Sequence, residues 1–333
     1  MRISGEIECA LLKHHRMRIV FFGTPEFAST VLERMVDHGC GIVGVVTTPD
    51  RPSGRGHRLQ PSSVKETAQK LLPGTPILQP DKLRDNDFLD TLRALEADLF
   101  VVVAFRMLPR DVWAMPKCGT FNLHASLLPR YRGAAPIQHA ILNGESMTGV
   151  TTFFLDEDID TGRILLQRSV TISDTDNGGT LHDKLMDVGA DLVCETIDLI
   201  KNAEPGIHLG TSQKELMTGE PLPSAPKIFK EDRELHFTKD SARQILLRIR
   251  AMSPYPAALA LLSDGVEIKV FDARVLPDVP GLNPGEVHIT DDRRLIVQTV
   301  EGAVLLLVIQ APSKRRMAVE DYLLGNEITA TFQ

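Results

Sequence analysis

Apolar residues in the first part of the chain fall into two alternating patterns. Met17–Phe22, Gly41–Thr48 and Asp98–Ala104 are short runs with almost no polar interruption, which predicts strands covered on both faces. Between such runs lie stretches of helical period: Pro25 to about Asp37, with Pro25 suited to the first helical position, Ser62–Lys70 capped by Ser62 or Ser63, and Asp85–Glu96. Strand, turn, helix and strand in that order imply right-handed crossovers and a parallel sheet. Pro76–Leu78 and Gly119–Leu123 predict further strands, and Ala134–Asn143 a helix. Val150–Leu155 and Arg163–Ile172 alternate apolar and polar residues, as an antiparallel pair joined by the Asp156–Gly162 turn would. A helix over Thr180–Lys201, with Thr180 as cap, closes this region.

Beyond Lys201 the pattern breaks. Pro205, Pro221, Pro223 and Pro226, with Gly206, Gly210 and Gly219, predict a linker or an extended wrap over the first domain. A helix at Ser241–Met252 then precedes strand-like runs at 257–262, 266–271, 285–289, 294–299 and 303–310, which read as a small OB-like β-barrel. The expected class is therefore α/β: a Rossmann-like, mostly parallel sheet domain over 17–203, a linker over 204–227 and a C-terminal OB-like barrel over 228–333. Residues 1–16 are expected to be a disordered leader or the result of an upstream start codon.

Composition narrows the class. A chain of 333 residues favours two domains, and 43% hydrophobic with 24% charged residues is ordinary for a soluble protein. No apolar run approaches the roughly 18 residues needed to cross a bilayer. Glu6 and Glu8 interrupt the short apolar stretch at the start, against a secretory signal, so a cytoplasmic location is expected. Cys9, Cys40, Cys118 and Cys194 form no C-x-x-C pair, which argues against a zinc site or a disulfide framework and makes reduced thiols the simplest reading. The net charge of −7 excludes a wholesale basic nucleic-acid binder, so any RNA contact must rest on local patches. Gly23-Thr24-Pro25 replaces the G-x-G-x-x-G fingerprint after the first strand, which argues against a nicotinamide dehydrogenase.

The candidate chemistry lies between Thr120 and Gly162. Asn122 and His124 are two apart at a strand end and so point to one side, and Asp160 returns after the next strand. An amide, an imidazole and a carboxylate together can stabilise an oxyanion and move a proton. Taken alone, Asn-x-His reads more readily as a strand-end cap with a satisfied imidazole. Asp156, Glu157 and Asp158 read as solvated turn residues. The loop Thr48–Lys65, too irregular for strand or helix, gathers Arg51, Arg55, His57 and Arg58. It suits an anionic partner or is simply solvated. The same two readings hold for Lys314, Arg315 and Arg316.

HASLLP from His124, YRGAAPI from Tyr131 and the IDTG turn, with FFGTPEFA, TTPDRPSGRG, SPYP and APSKRRM in the same order, resemble the formyltransferases that use 10-formyltetrahydrofolate. The resemblance runs from residue 17 to near the end. It implies direct formyl transfer to an amine, without a metal, and makes Asn122, His124 and Asp160 the catalytic residues. By the same resemblance, Ser126, Leu127, Leu128 and Pro129 border the folate. The basic loop and the barrel are similar to those of the branch whose acceptor is initiator methionyl-tRNA. Arg51, Arg55 and Arg58 would then clamp the acceptor stem, and Lys314, Arg315 and Arg316 the tRNA body, on a monomer. A small amine acceptor, such as glycinamide ribonucleotide or a nucleotide-linked aminosugar, and a non-catalytic RNA-binding role are the competing readings. Ala104–Pro109 departs from the family's A-[YF]-G-x-I-L-P and puts Arg106 near the folate edge, to pair with a cofactor carboxylate or to cap the strand.

Overall fold

A computed structural model describes residues 16–53, 58–204, 207–217 and 219–333. The chain starts β1 (Arg18–Gly23), α1 (Glu26–Asp37), β2 (Gly41–Val46), β3 (Arg51–Ser53) and β4 (Arg58–Gln60). It continues α2 (Ser63–Leu71), β5 (Ile77–Leu78), α3 (Asn86–Ala94), β6 (Leu99–Val103), α4 (Arg110–Trp113) and β7 (Thr120–His124). Then come α5 (Pro136–Leu142), β8 (Met147–Phe154), β9 (Ile164–Thr171) and α6 (Gly178–Lys201).

The large sheet has the order β5-β2-β1-β6-β7-β8-β9. From β5 to β7 every pairing is parallel, and β8 then runs antiparallel to β7. The strand order reverses between β1 and β6, and open sheets of this kind take ligands at the carboxyl ends beside that reversal. All five residues of β6 are buried, as its unbroken apolar run predicts for a strand covered on both faces. Phe22 and Phe100 pack with ring centroids 5.1 Å apart within one core cluster that also takes in Phe88, Leu89 and Leu92 of α3.

Two details differ from the sequence expectation. The basic loop is not wholly irregular, because β3 and β4 pair as an antiparallel ribbon from Arg51 opposite Gln60. Its base is tied down by Asp50, which accepts hydrogen bonds from Lys65 Nζ at 2.7 Å and Gln79 Nε2 at 2.8 Å. Helix α6 starts at Gly178 rather than after Thr180, because Asn177 Oδ1 accepts from the amides of Gly179 and Thr180 and so supplies the cap. Among the described residues Cys40 and Cys194 are free thiols.

The C-terminal strands are β10 (Glu234–Leu235), β11 (Ala258–Leu261), β12 (Glu267–Leu276), β13 (Val287–Ile289), β14 (Leu295–Gln298), β15 (Ala303–Gln310) and β16 (Met317–Ala318). Helix α7 (Ala242–Met252), opened by a Ser241–Gln244 capping box, precedes β11, and α8 (Val319–Tyr322) follows β16. The path is β10-β11-β12-β15-β14-β13, with β16 added to β15, and every pairing is antiparallel except β10 with β11. The last residues join the two ends of this path. Gln333 N donates to Leu261 O, its carbonyl accepts from Phe237 N, and Phe332 N donates to Gly285 O just before β13.

By compactness the chain divides into two units that interleave along the sequence. One comprises the residues up to 132, Thr148–Val170 and Asp183–Pro223, and the other Gly133–Met147, Thr171–His182 and Ser224–Gln333. Among the described residues no helix is long and apolar enough to cross a membrane.

Candidate active site

His124 is the last residue of β7, so its side chain leaves the sheet at the carboxyl end, near the strand-order reversal. Asn122 stands two residues earlier on the same strand face, half-buried, where β7 pairs with Val102 on one side and Phe153 on the other. Asp160 reaches the same place from the turn after β8. Its Oδ2 lies 3.9 Å from His124 Nδ1, with the two side chains only 14% and 7% exposed. The sequence-predicted pair is therefore brought together.

The imidazole is oriented from its other nitrogen. His124 Nε2 lies 2.9 Å from the main-chain carbonyl of Tyr131. A carbonyl only accepts, so Nε2 carries the hydrogen and Nδ1 is the nitrogen that gains or loses a proton. Nδ1 is thus the edge of the ring turned toward Asp160. A separation of 3.9 Å is too long for a direct hydrogen bond, but a third polar atom can bond both groups at once.

Ser126 and Leu128 are buried and used within the protein. Ser126 Oγ donates to Arg130 O at 2.7 Å, and Leu128 packs with Phe153 and Ile164. Thr151 Oγ1 donates to Ser126 O and accepts from Leu128 N, which fixes the loop's shape. Leu127 and Pro129 are only partly buried. Asp156, Glu157 and Asp158 are exposed or nearly so, as solvated turn residues should be.

Arg106 bonds main chain at the site's edge. Its guanidinium donates to the carbonyls of Asp81, at 2.8 Å, and Pro80, while its Nε is buried without a protein acceptor. Burial and the nearby positive charge of Arg51 lower its affinity for the proton. The Arg106 guanidinium lies 5.6 Å from the Phe105 ring centre, and the orphaned Nε–H beside that ring is a donor of the kind a flat polar ring system such as a pterin takes up. Among the described residues no group of three or more His, Cys, Asp or Glu side chains is placed to hold a metal ion.

Arg51 is exposed on β3, whereas Arg55 lies outside the described residues, as does the side chain of Arg58. Lys314, Arg315 and Arg316 lie between β15 and β16, all three exposed, and the Arg316 guanidinium stacks 4.3 Å from the Phe271 ring centre. Two further contributors leave no trace in the residue pattern. One is the Tyr131 carbonyl, because a backbone acceptor has no residue-type signal. The other is Gln213, 2% exposed, which bonds the turn carrying Asp160 from a stretch without periodicity.

This fold with this site defines a formyl transferase, and the chain belongs to that family. Residues 17–197 match the formyl transferase family model, and residues 227–327 match that of the formyl transferase C-terminal domain. The methionyl-tRNA formyltransferase of Bacteroides fragilis is 45% identical over 327 residues, which is 97% of this chain and 99% of that protein. That of Parabacteroides distasonis is 46% identical over 320 residues, covering 94% of this chain and 97% of the other. Among solved structures, the sugar 3N-formyl transferase WlaRD, crystallised with dTDP and 5-N-formyl-THF, shares the fold at a TM-score of 0.63. It is 20% identical, over 90% of this chain and 100% of that one.

Proposed function

We propose that this chain transfers the formyl group of 10-formyltetrahydrofolate to the free amino group of initiator methionyl-tRNA, giving N-formylmethionyl-tRNA for translation initiation. The buried His124–Asp160 pair at the carboxyl end of β7, in a chain so similar to methionyl-tRNA formyltransferases over nearly its full length, carries this reading. It acts in the cytoplasm as a monomer.

The carbon–nitrogen bond forms by addition of the acceptor amine to the formyl carbon of the folate, and the bond to N10 breaks as the resulting tetrahedral oxyanion collapses, N10 leaving with a proton. The residues of this chain manage charge and protons around that exchange. Asn122 offers an amide N–H to the oxygen on which negative charge develops. His124, held by Tyr131, presents Nδ1 as donor when protonated and as acceptor when neutral. Asp160 gives a proton on Nδ1 an anionic neighbour and accepts the proton that the attacking amine sheds. Leu127 and Pro129 border the folate, with Ser126 and Leu128 shaping that border from inside. Arg51, Arg55 and Arg58 meet the acceptor stem, and Lys314, Arg315 and Arg316 meet the tRNA backbone.

The test is a formylation assay with charged initiator tRNA, charged elongator tRNA and a nucleotide-linked aminosugar as separate acceptors. Formyl-methionyl-tRNA from the initiator reaction is the expected product. Transfer to the aminosugar alone would keep the chemistry and overturn the acceptor.

A further inference from the structure

The stretch after α6 reads in sequence as a linker or an extended wrap over the first domain, and in the structure it is bonded to the backbone of Asp160 and to Tyr131, the residue that orients His124. Thr211 exchanges two main-chain hydrogen bonds with Ile164, the first residue of β9, at 2.8 and 2.9 Å. Arg163 turns its guanidinium onto the carbonyls of Leu209, at 3.2 Å, and Gly210. Gly210 has φ +83°, and a Cβ there would stand 2.5 Å from Ile164 O, so the close approach requires glycine.

Gln213 comes next, 2% exposed, and its amide is fully engaged. Nε2 donates to Asp160 O at 2.9 Å and to Gly162 O at 2.8 Å, one bond on each side of Thr161. Oε1 accepts from Arg132 at 2.6 and 3.1 Å. Asp160 has φ +55°, a left-handed conformation unfavourable for a residue with a side chain, so something must hold the turn there. The two hydrogen bonds that flank Thr161 do that. Further along, Pro223 O accepts from Tyr131 N at 2.6 Å, and Tyr131 O is the acceptor for His124 Nε2. Arg132, the next residue, closes the circuit back to Gln213.

We propose that Leu209–Gln213 and Pro223 act as a positioning strap for catalysis: Gln213 fixes the backbone of Asp160, Pro223 fixes the peptide that orients His124, and Arg132 couples the two. The inference rests on the formyl-transfer reading for its kinetic consequence but not for its geometry. Gln213 is a positioning residue, since its amide is turned to protein and acts through Asp160. Its removal should therefore change turnover rather than substrate affinity.

Gln213→Glu is the informative variant. The carboxylate keeps Arg132 as a partner and nearly the same volume, but it faces two carbonyls without a hydrogen to give. Misplacing a catalytic group by an ångström costs up to about a hundredfold, so kcat should fall about ten- to hundredfold while KM for both substrates moves less than about threefold. Gln213→Ala should show the same split. Arg132→Lys, which retains a donor toward Oε1, should be impaired less than Arg132→Ala. A crystal structure of Gln213→Glu is expected to show the His124 Nδ1–Asp160 Oδ2 distance altered by about 1 Å or more.

Unchanged kcat in folded Gln213→Glu, or a defect confined to KM, overturns the strap while leaving the function intact. Should the wild-type protein transfer formyl to no acceptor, the functional reading falls. The crystal structure then still decides the strap, and an unmoved Asp160 would overturn it.

Discussion

His124 Nδ1 and Asp160 Oδ2 face each other across 3.9 Å at the carboxyl end of the sheet, close enough to share a bound polar atom and too far apart to bond directly. Each is held from behind, the imidazole by Tyr131 O and the carboxylate's backbone by Gln213. His124→Ala and Asp160→Asn should each lower kcat by about 10²- to 10⁴-fold, the usual range for removing a positioned proton carrier. On the proposed shared proton path, the double variant should be little slower than the worse single one. Single-turnover formylation with saturating folate measures this, and independent, multiplying defects would contradict a shared path.

Asp50 anchors the base of the β3–β4 ribbon. Hydrogen bonds from Lys65 and then Gln79 hold its carboxyl below the usual carboxylate range. A carboxyl lowered in the folded state stabilises it above about pH 4 and that contribution fades as pH falls through the lower folded value. Carbon-detected NMR of the Asp50 carboxyl should give a midpoint below that of a free aspartate. Asp50→Asn should raise amide exchange in β3 and β4 at neutral pH, and an unaltered exchange pattern would count against the anchor.

Gly162 ends the turn that carries Asp160. A Cβ there would overlap Phe154 O, which is main chain and cannot swing aside. Gly162→Ala should cost about 1–3 kcal/mol of stability through overpacking. It should also lower kcat, because the turn must shift with Asp160 on it. Urea denaturation checks the first effect and steady-state kinetics the second. Wild-type values in both would mean the turn yields freely.

The basic cluster after β15 calls for a salt titration. Replacing Lys314, Arg315 and Arg316 together with alanine should weaken tRNA binding and reduce the slope of log affinity against log salt by up to about 0.9 for each phosphate no longer neutralised. Folate affinity should not change. Arg316, stacked on Phe271, is the most fixed of the three, so Arg316→Ala alone should account for a large share. An unchanged slope would place the tRNA elsewhere.

Much of this molecule is legible in its residues. The unbroken apolar run of β6 and the helix over Ser241–Met252 are local signals that the packing obeys, whereas β8 and β9 pair without the expected alternation, because six consecutive residues of β8 are buried. Asn122, His124 and Asp160 could be placed on one side of one edge because strand periodicity and a short turn carry them there. What stayed hidden depends on distant partners. The β3–β4 ribbon forms in a proline- and glycine-rich stretch closed at its base by Lys65 and Gln79, residues no local rule connects to Asp50. Asn177 outcompetes Thr180 as cap because its longer side chain reaches two amides at once. Gln213 sits among prolines and glycines with no period at all, and only the folded chain brings it to Asp160.

The interleaving of the two compact units bears on how such a gene can be cut and rejoined. Helix α5 precedes β8, β9 and α6 in sequence, yet it packs on α7, which follows all three and belongs to the same unit. A recombination that exchanged everything after residue 203 would separate these two helices. The incoming segment would have to match the buried surface of Pro136, Ile137, Ala140 and Ile141 as well as supply its own strands. Viable chimeras of this enzyme are therefore expected to carry α5 and the C-terminal strands from one parent, a constraint on inheritance that a map of contiguous domains would miss.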